Sequence, residues 1–157
     1  MTAAQRWLLH AAFALAALTG LAVAVFKYFV TSDDPYSAVG SPWLPWSLGA
    51  HVVLTPLLVF TFGWVFTEHV LQKLKNGHAG RASGIATLVL LPASIVSGYL
   101  IQTTTGERTH ALAVGCHLGT GAAVAVAWIV HLVRSRVTAA RPGAGWTLVR
   151  RARAAGL

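Results

Sequence analysis

The stretch ALAVGCHLGTGAAVAVAWIVHLV, residues 111–133, decides the fold of this chain. It contains no Asp, Glu, Lys or Arg. It is also long enough for the roughly 20 helical residues that a bilayer crossing takes. Its apolar residues are continuous and Ala/Val-rich rather than alternating, which predicts a helix and not a barrel strand. It carries two histidines, His117 and His131.

Three further stretches read the same way, giving predicted spans at about 7–30, 44–71, 83–101 and 111–133. Pro56 and Pro92 fall inside the second and third, where neighbouring helices in a membrane can satisfy the freed carbonyl. The chain as a whole is 55% hydrophobic and 10% charged. An ordinary soluble domain is about 25% charged, so a soluble enzyme of this size is excluded. The expected fold is an all-α integral membrane four-helix bundle over residues 1–137, with a basic tail at 138–157. The first span follows Arg6 and could serve as a signal peptide, but its apolar run continues past Ala22-Val-Ala24 toward Lys27. A signal core is usually about 7–15 residues, so the span is expected to stay as a first helix.

The net charge of +8 would suit nucleic acid were it not for its placement. Numbering the helix ends alternately puts Arg6, Lys73, Lys75, Arg81, Arg134 and the tail arginines on one side. Only Lys27 and Arg108 fall on the other, together with Asp33, Asp34 and Glu107. The positive-inside rule then predicts that both termini and the 72–82 loop are cytoplasmic. The charge is a topology signal, and no nucleic-acid partner is expected. The tail is expected to lie against anionic lipid headgroups, with Trp146 at the interface.

One cysteine, Cys116, excludes a disulfide framework, a cysteine-ligated iron–sulfur cluster and the CxxCH haem attachment motif. Seven histidines in so apolar a chain are the feature to explain, since ionisable groups inside a span mark function. His117 and His131 are fourteen residues apart, so they share a helix face and are separated by about 21 Å along the axis. No single metal ion reaches both. Two stacked haems, one near each membrane surface, would use one each and need a second axial histidine at the same depth. His51 is the outer candidate. The inner one is His10, favoured on depth, or its rival His69. His51 and His69 are eighteen residues apart, about 27 Å, which overshoots the His117–His131 interval by about one turn.

Helix 3 repeats a small pair, Ser83-Gly84 and Ser97-Gly98, at the same fourteen-residue spacing. Glycine admits close approach of a flat ligand or a backbone, which makes Gly84 and Gly98 candidate cofactor-binding positions. Arg108 and Lys27 are candidate partners for outer propionates, Arg6 and Arg81 for inner ones. Glu68, His69, His78 and Arg81 cluster at the inner end as a candidate quinone site.

Arg6-Trp-Leu-Leu-His10 followed by Thr19-Gly20, then His51, then the His117/His131 pair, resembles the prokaryotic four-helix di-haem b-type cytochromes. The likeness is strongest to the membrane cytochrome b subunit of respiratory formate dehydrogenases, with relatives in nickel–iron hydrogenases and bacterial cytochrome b561, and covers roughly residues 5–134. It implies two haem b groups, the outer held by His51 and His117 and the inner by His10 and His131. It also implies a quinone near the inner haem, a bacterial cytoplasmic (inner) membrane location, and an electron-transfer role in a quinone-linked oxidoreductase complex. His69 is an intramembrane histidine that this pattern does not require. The sequence shows no second redox motif, so a separate redox partner subunit on the outer side is expected. Two other readings stay open: a haem-free anchor or proton/metal transporter that uses intramembrane histidines, and a stand-alone haem b superoxide or ferric reductase.

Overall fold

Helix α1, Ala3–Tyr28, begins where a capping box closes it. The Thr2 hydroxyl accepts from the Gln5 amide at 3.2 Å, and the Gln5 side-chain oxygen accepts from the Thr2 amide at 2.7 Å. Two donors orphaned by the helix start are thereby satisfied. The computed structural model describes residues 1–32, 40–75 and 81–139, and among these there are helices and no strand.

Helix α2, Leu44–Val65, opens with a proline in its first turn, where the missing amide costs nothing. It runs on into a π-helical segment, Phe66–Leu71, and a last α-helical turn, Gln72–Lys75. Helices α3, Arg81–Thr103, and α4, Glu107–Ala139, complete the described chain. Pro56 and Pro92 are accommodated inside α2 and α3. All four long helices are long and apolar enough to cross a membrane, the make-up of a multi-pass membrane protein. Helices α3 and α4 reach beyond the apolar stretches that predicted them, the second span runs on through the π-helical segment to Lys75, and α1 starts earlier, at Ala3, and closes at Tyr28 rather than Val30. Backbone hydrogen bonding continues into polar flanks, as at Glu107 in the first turn of α4 and Arg136 near its end, both placed well for the helix dipole.

The chain divides into two compact units, Met1–Asn76 and Gly77–Leu157. In the first, α1 packs along α2; in the second, α3 packs along α4. Each is an antiparallel hairpin. In the first, Gly40 passes so close to the end of α1 that a Cβ there would lie 2.6 Å from the Val30 carbonyl oxygen. Only glycine fits that crossing. The buried residues of the first unit include Ala12, Phe13, Ala16, Leu58 and Val65. Those of the second include three serines of α3, Ser83, Ser94 and Ser97. Residues at i, i+11 and i+14 share a helix face, so the serines form one seam.

Large apolar side chains lie exposed along every span, among them Leu18, Val53, Phe60, Val89, Val96 and Val126. In water such surface would drive association; against lipid tails it costs nothing. Exposed aromatics gather near helix ends, with Trp7 at the start of α1, Tyr28 and Phe29 at its close, and Trp43 and Trp46 at the start of α2. That is the distribution expected at membrane–water interfaces.

Candidate functional site

Three of the intramembrane histidines are held in one way, each by a Ser/Thr–Gly pair on the helix beside it. In the first hairpin the pair is Thr19-Gly20 of α1, and the histidine is His51 of α2. A Cβ on Gly20 would lie 3.0 Å from His51 Cε1 and 3.4 Å from Nδ1, so the glycine makes the space that the ring fills. The Thr19 Oγ1 lies 3.0 Å from His51 Nδ1. In the second hairpin, a Cβ on Gly98 would lie 3.1 Å from His117 Cε1, and one on Gly84 would lie 3.7 Å from His131 Cε1. The serine before each glycine meets the same ring, Ser97 Oγ at 3.4 Å from His117 Nδ1 and Ser83 Oγ at 3.3 Å from His131 Nδ1.

Donor arithmetic fixes one of these rings. His117 Nδ1 lies 2.9 Å from the Ser94 carbonyl oxygen, which only accepts, so this ring is the Nδ1–H form and holds on Nε2 the lone pair that binds a metal. The His51 and His131 contacts are to hydroxyls, and their direction follows the tautomer of each ring. A hydroxyl has one proton to give; the Thr19 hydroxyl also lies 2.7 Å from the Leu15 carbonyl oxygen, and it accepts from His51 when that carbonyl takes its proton.

The second hairpin keeps one register throughout. Gly98 meets His117, Gly121 meets Ser94, and Gly84 meets His131, each pair having the same sum of residue numbers. The two helices thus lie side by side without drift over about 21 Å. In the first hairpin, Gly20 and His51 mark the shared level. His10 then lies about 15 Å from that level and His69 about 27 Å. His10 Nδ1 is buried within its span, whereas His69 sits in the π-helical segment at the hairpin's open end. Such segments are frequent at functional sites.

The remaining candidates are placed within their own hairpins. Lys27 closes α1, its ammonium 5.6 Å from the Tyr28 ring centroid. Arg108, at the start of α4, lines a shallow depression with Leu112 and Cys116. Arg6 lies in the first turn of α1, at the opposite end from Lys27. Glu68 Oε2 is 3.7 Å from the Met1 ammonium, an ion pair across the open end. His78, the 76–80 segment and the tail from 140 onward lie outside the described residues. Arg81 opens α3. Within the first hairpin, His10, His51 and His69 sit at three separate levels. Among the described residues no three His, Cys, Asp or Glu come together as a metal-binding group.

Reading the sequence did not assign Thr19, Ser83, Ser94 or Ser97 to the histidines, nor Gly20 to His51. The signal was the dipeptide itself, which occurs at four helical positions and faces a histidine at three of them.

Comparison with protein-family models, with curated proteins and with solved structures gives no significant match for this chain.

Proposed function

We propose that this chain is a membrane di-haem cytochrome b subunit, carrying electrons between a redox partner on the outer side and the quinone pool. The observation that carries the reading is the threefold seating of an intramembrane imidazole by a Ser/Thr–Gly pair, with the His117 ring in the Nδ1–H tautomer. A histidine that donates through its second nitrogen to a hydroxyl or carbonyl is oriented and more basic, the usual support of a metal-bound imidazole.

The residues fit haem on donor chemistry. A macrocycle brings four equatorial nitrogens and asks the chain for single imidazoles. A bare metal ion asks for three or more side chains together, which the described residues lack. The proposed ligands are His51 with His117 and His10 with His131, with His69 the alternative to His10. When bound, haem supplies one-electron chemistry, and the protein sets ligand, burial and hydrogen bonding. Thr19, Ser94 and Ser97 hold the ligand rings, while Gly20 and Gly98 leave His51 and His117 room.

The proposed pairing is by depth along each helix, with all four helices taken as spans and both hairpin connectors therefore on one side. His51 is seven residues into α2 and His117 ten into α4, about 10 and 15 Å from those connectors. We assign that side to the exterior, and both termini to the cytoplasm of a bacterial inner membrane, on the positive-inside rule. The quinone is placed at the open end, near Glu68 and His69.

The test is a reduced-minus-oxidised spectrum of the purified protein, with a pyridine haemochrome count, after expression with ample haem. Two b-type haems per chain are expected, with one lost in His51→Ala and in His117→Ala. No b-type absorbance would overturn the reading in favour of a haem-free carrier. Haem bound without any co-purifying partner would favour the stand-alone reductase.

A further inference from the structure

The three histidine anchors are not equivalent. His51 is held through Nδ1 by a side chain, the Thr19 hydroxyl at 3.0 Å. His117 is held through Nδ1 mainly by a backbone carbonyl, that of Ser94 at 2.9 Å. The Ser97 hydroxyl is the more distant second acceptor at 3.4 Å. Each hydroxyl has a carbonyl of its own helix within reach of its proton, Leu15 for Thr19 at 2.7 Å and Ser94 for Ser97 at 3.0 Å. With the proton given there, each meets its imidazole as an acceptor.

We propose that Thr19 is a positioning residue that fixes the His51 tautomer and lowers the reduction potential of the iron this histidine binds. Ser97 has a weaker part at His117, because the Ser94 carbonyl does most of that work. The inference rests on the haem reading above. The physical chain is short. An acceptor at Nδ1–H draws that proton outward and raises electron density at Nε2, making the imidazole a stronger donor. A stronger donor favours ferric over ferrous iron, so the potential falls. Removing the Thr19 acceptor reverses this, and also frees the ring to take the Nε2–H form, which cannot ligate through Nε2. The equivalent substitution at Ser97 leaves the carbonyl in place.

Thr19→Val removes the hydroxyl and keeps the shape; Thr19→Ser restores it. The protein is purified in detergent with its haem and titrated spectroelectrochemically. Thr19→Val is expected to raise the midpoint potential of one haem, or to empty that site. Thr19→Ser is expected to match the parent, and Ser97→Ala to raise a midpoint by less than Thr19→Val. An unchanged potential in Thr19→Val, or a larger shift in Ser97→Ala, overturns the inference. The tautomer is read independently by nitrogen-15 spectra of histidine-labelled haem-free protein, with His51 identified by its loss in His51→Gln. A proton on Nδ1 in the parent and a mixture in Thr19→Val are expected; a proton on Nε2 in the parent refutes the anchor. If the parent binds no haem, the proposed function fails, and the nitrogen spectra alone decide the tautomer assignment.

Discussion

Replacing Gly98 with alanine sets a methyl group 3.1 Å from His117 Cε1 and 3.3 Å from Nδ1. Carbon atoms in contact settle at about 3.5–4.0 Å, so the ring must retreat from α3 by about 0.5 Å. Ser94, the acceptor for His117 Nδ1, is on the same helix, so the retreat stretches a 2.9 Å bond to the edge of hydrogen-bonding range. That forfeits most of about 1 kcal/mol. Overpacking adds about 1–3 kcal/mol, and the lower backbone entropy of alanine returns about 0.5–1 kcal/mol. The net loss is about 1–3 kcal/mol. Gly84 provides the control, being preceded by the same serine on the same helix and facing the same residue type. There the added Cβ would lie 3.7 Å from His131 Cε1 and 3.8 Å from Nδ1, an ordinary contact. Gly84→Ala should therefore keep only the entropic gain of about 0.5–1 kcal/mol. The assay is unfolding of haem-free protein in mixed micelles by increasing sodium dodecyl sulfate, followed by circular dichroism. Equal destabilisation by the two substitutions, or a Gly98→Ala variant as stable as the parent, would refute the reasoning.

A haemochrome count on His10→Ala and His69→Ala is expected to show one haem lost in the first and none in the second; the reverse outcome reassigns the inner ligand to His69. Thr2→Ala removes the acceptor for the Gln5 amide and should destabilise the start of α1 by about 1 kcal/mol, seen as faster hydrogen exchange confined to the first turn. Thr105, exposed between α3 and α4, tests the orientation. In a Cys116→Ser background, Thr105→Cys should react with an impermeant maleimide on intact cells, whereas a cysteine appended to the tail should react only after permeabilisation.

The spans were legible because lipid selects on composition over a long window. Twenty apolar residues without a charge have few other uses, and no pairing detail is needed to recognise them. Their ends were less legible, since hydropathy marks the slab while caps such as Thr2 and Gln5 decide where the helix begins. The π-helical turn at Phe66–Leu71 left no pattern in its residues.

For the site, spacing along one helix was readable and contact between helices was not. His117 and His131, and the serine–glycine pairs of α3, share a fourteen-residue interval in the bare sequence. That each glycine receives an imidazole depends on the antiparallel register of α3 and α4, set by packing over their whole length. The same dipeptide recurs as Thr105-Gly106 in a connector and as Thr120-Gly121, where a Cβ on Gly121 would lie 3.8 Å from Ser94 Oγ, so it does not announce a histidine. Composition and charge were sufficient for four helical spans and for histidines inside them, because burial in lipid is a property of one segment at a time. Which hydroxyl meets which imidazole nitrogen was decided only by tertiary structure. A hydrogen bond needs two atoms within about 3 Å, and for Thr19 and His51 those atoms are thirty-two residues apart in the chain.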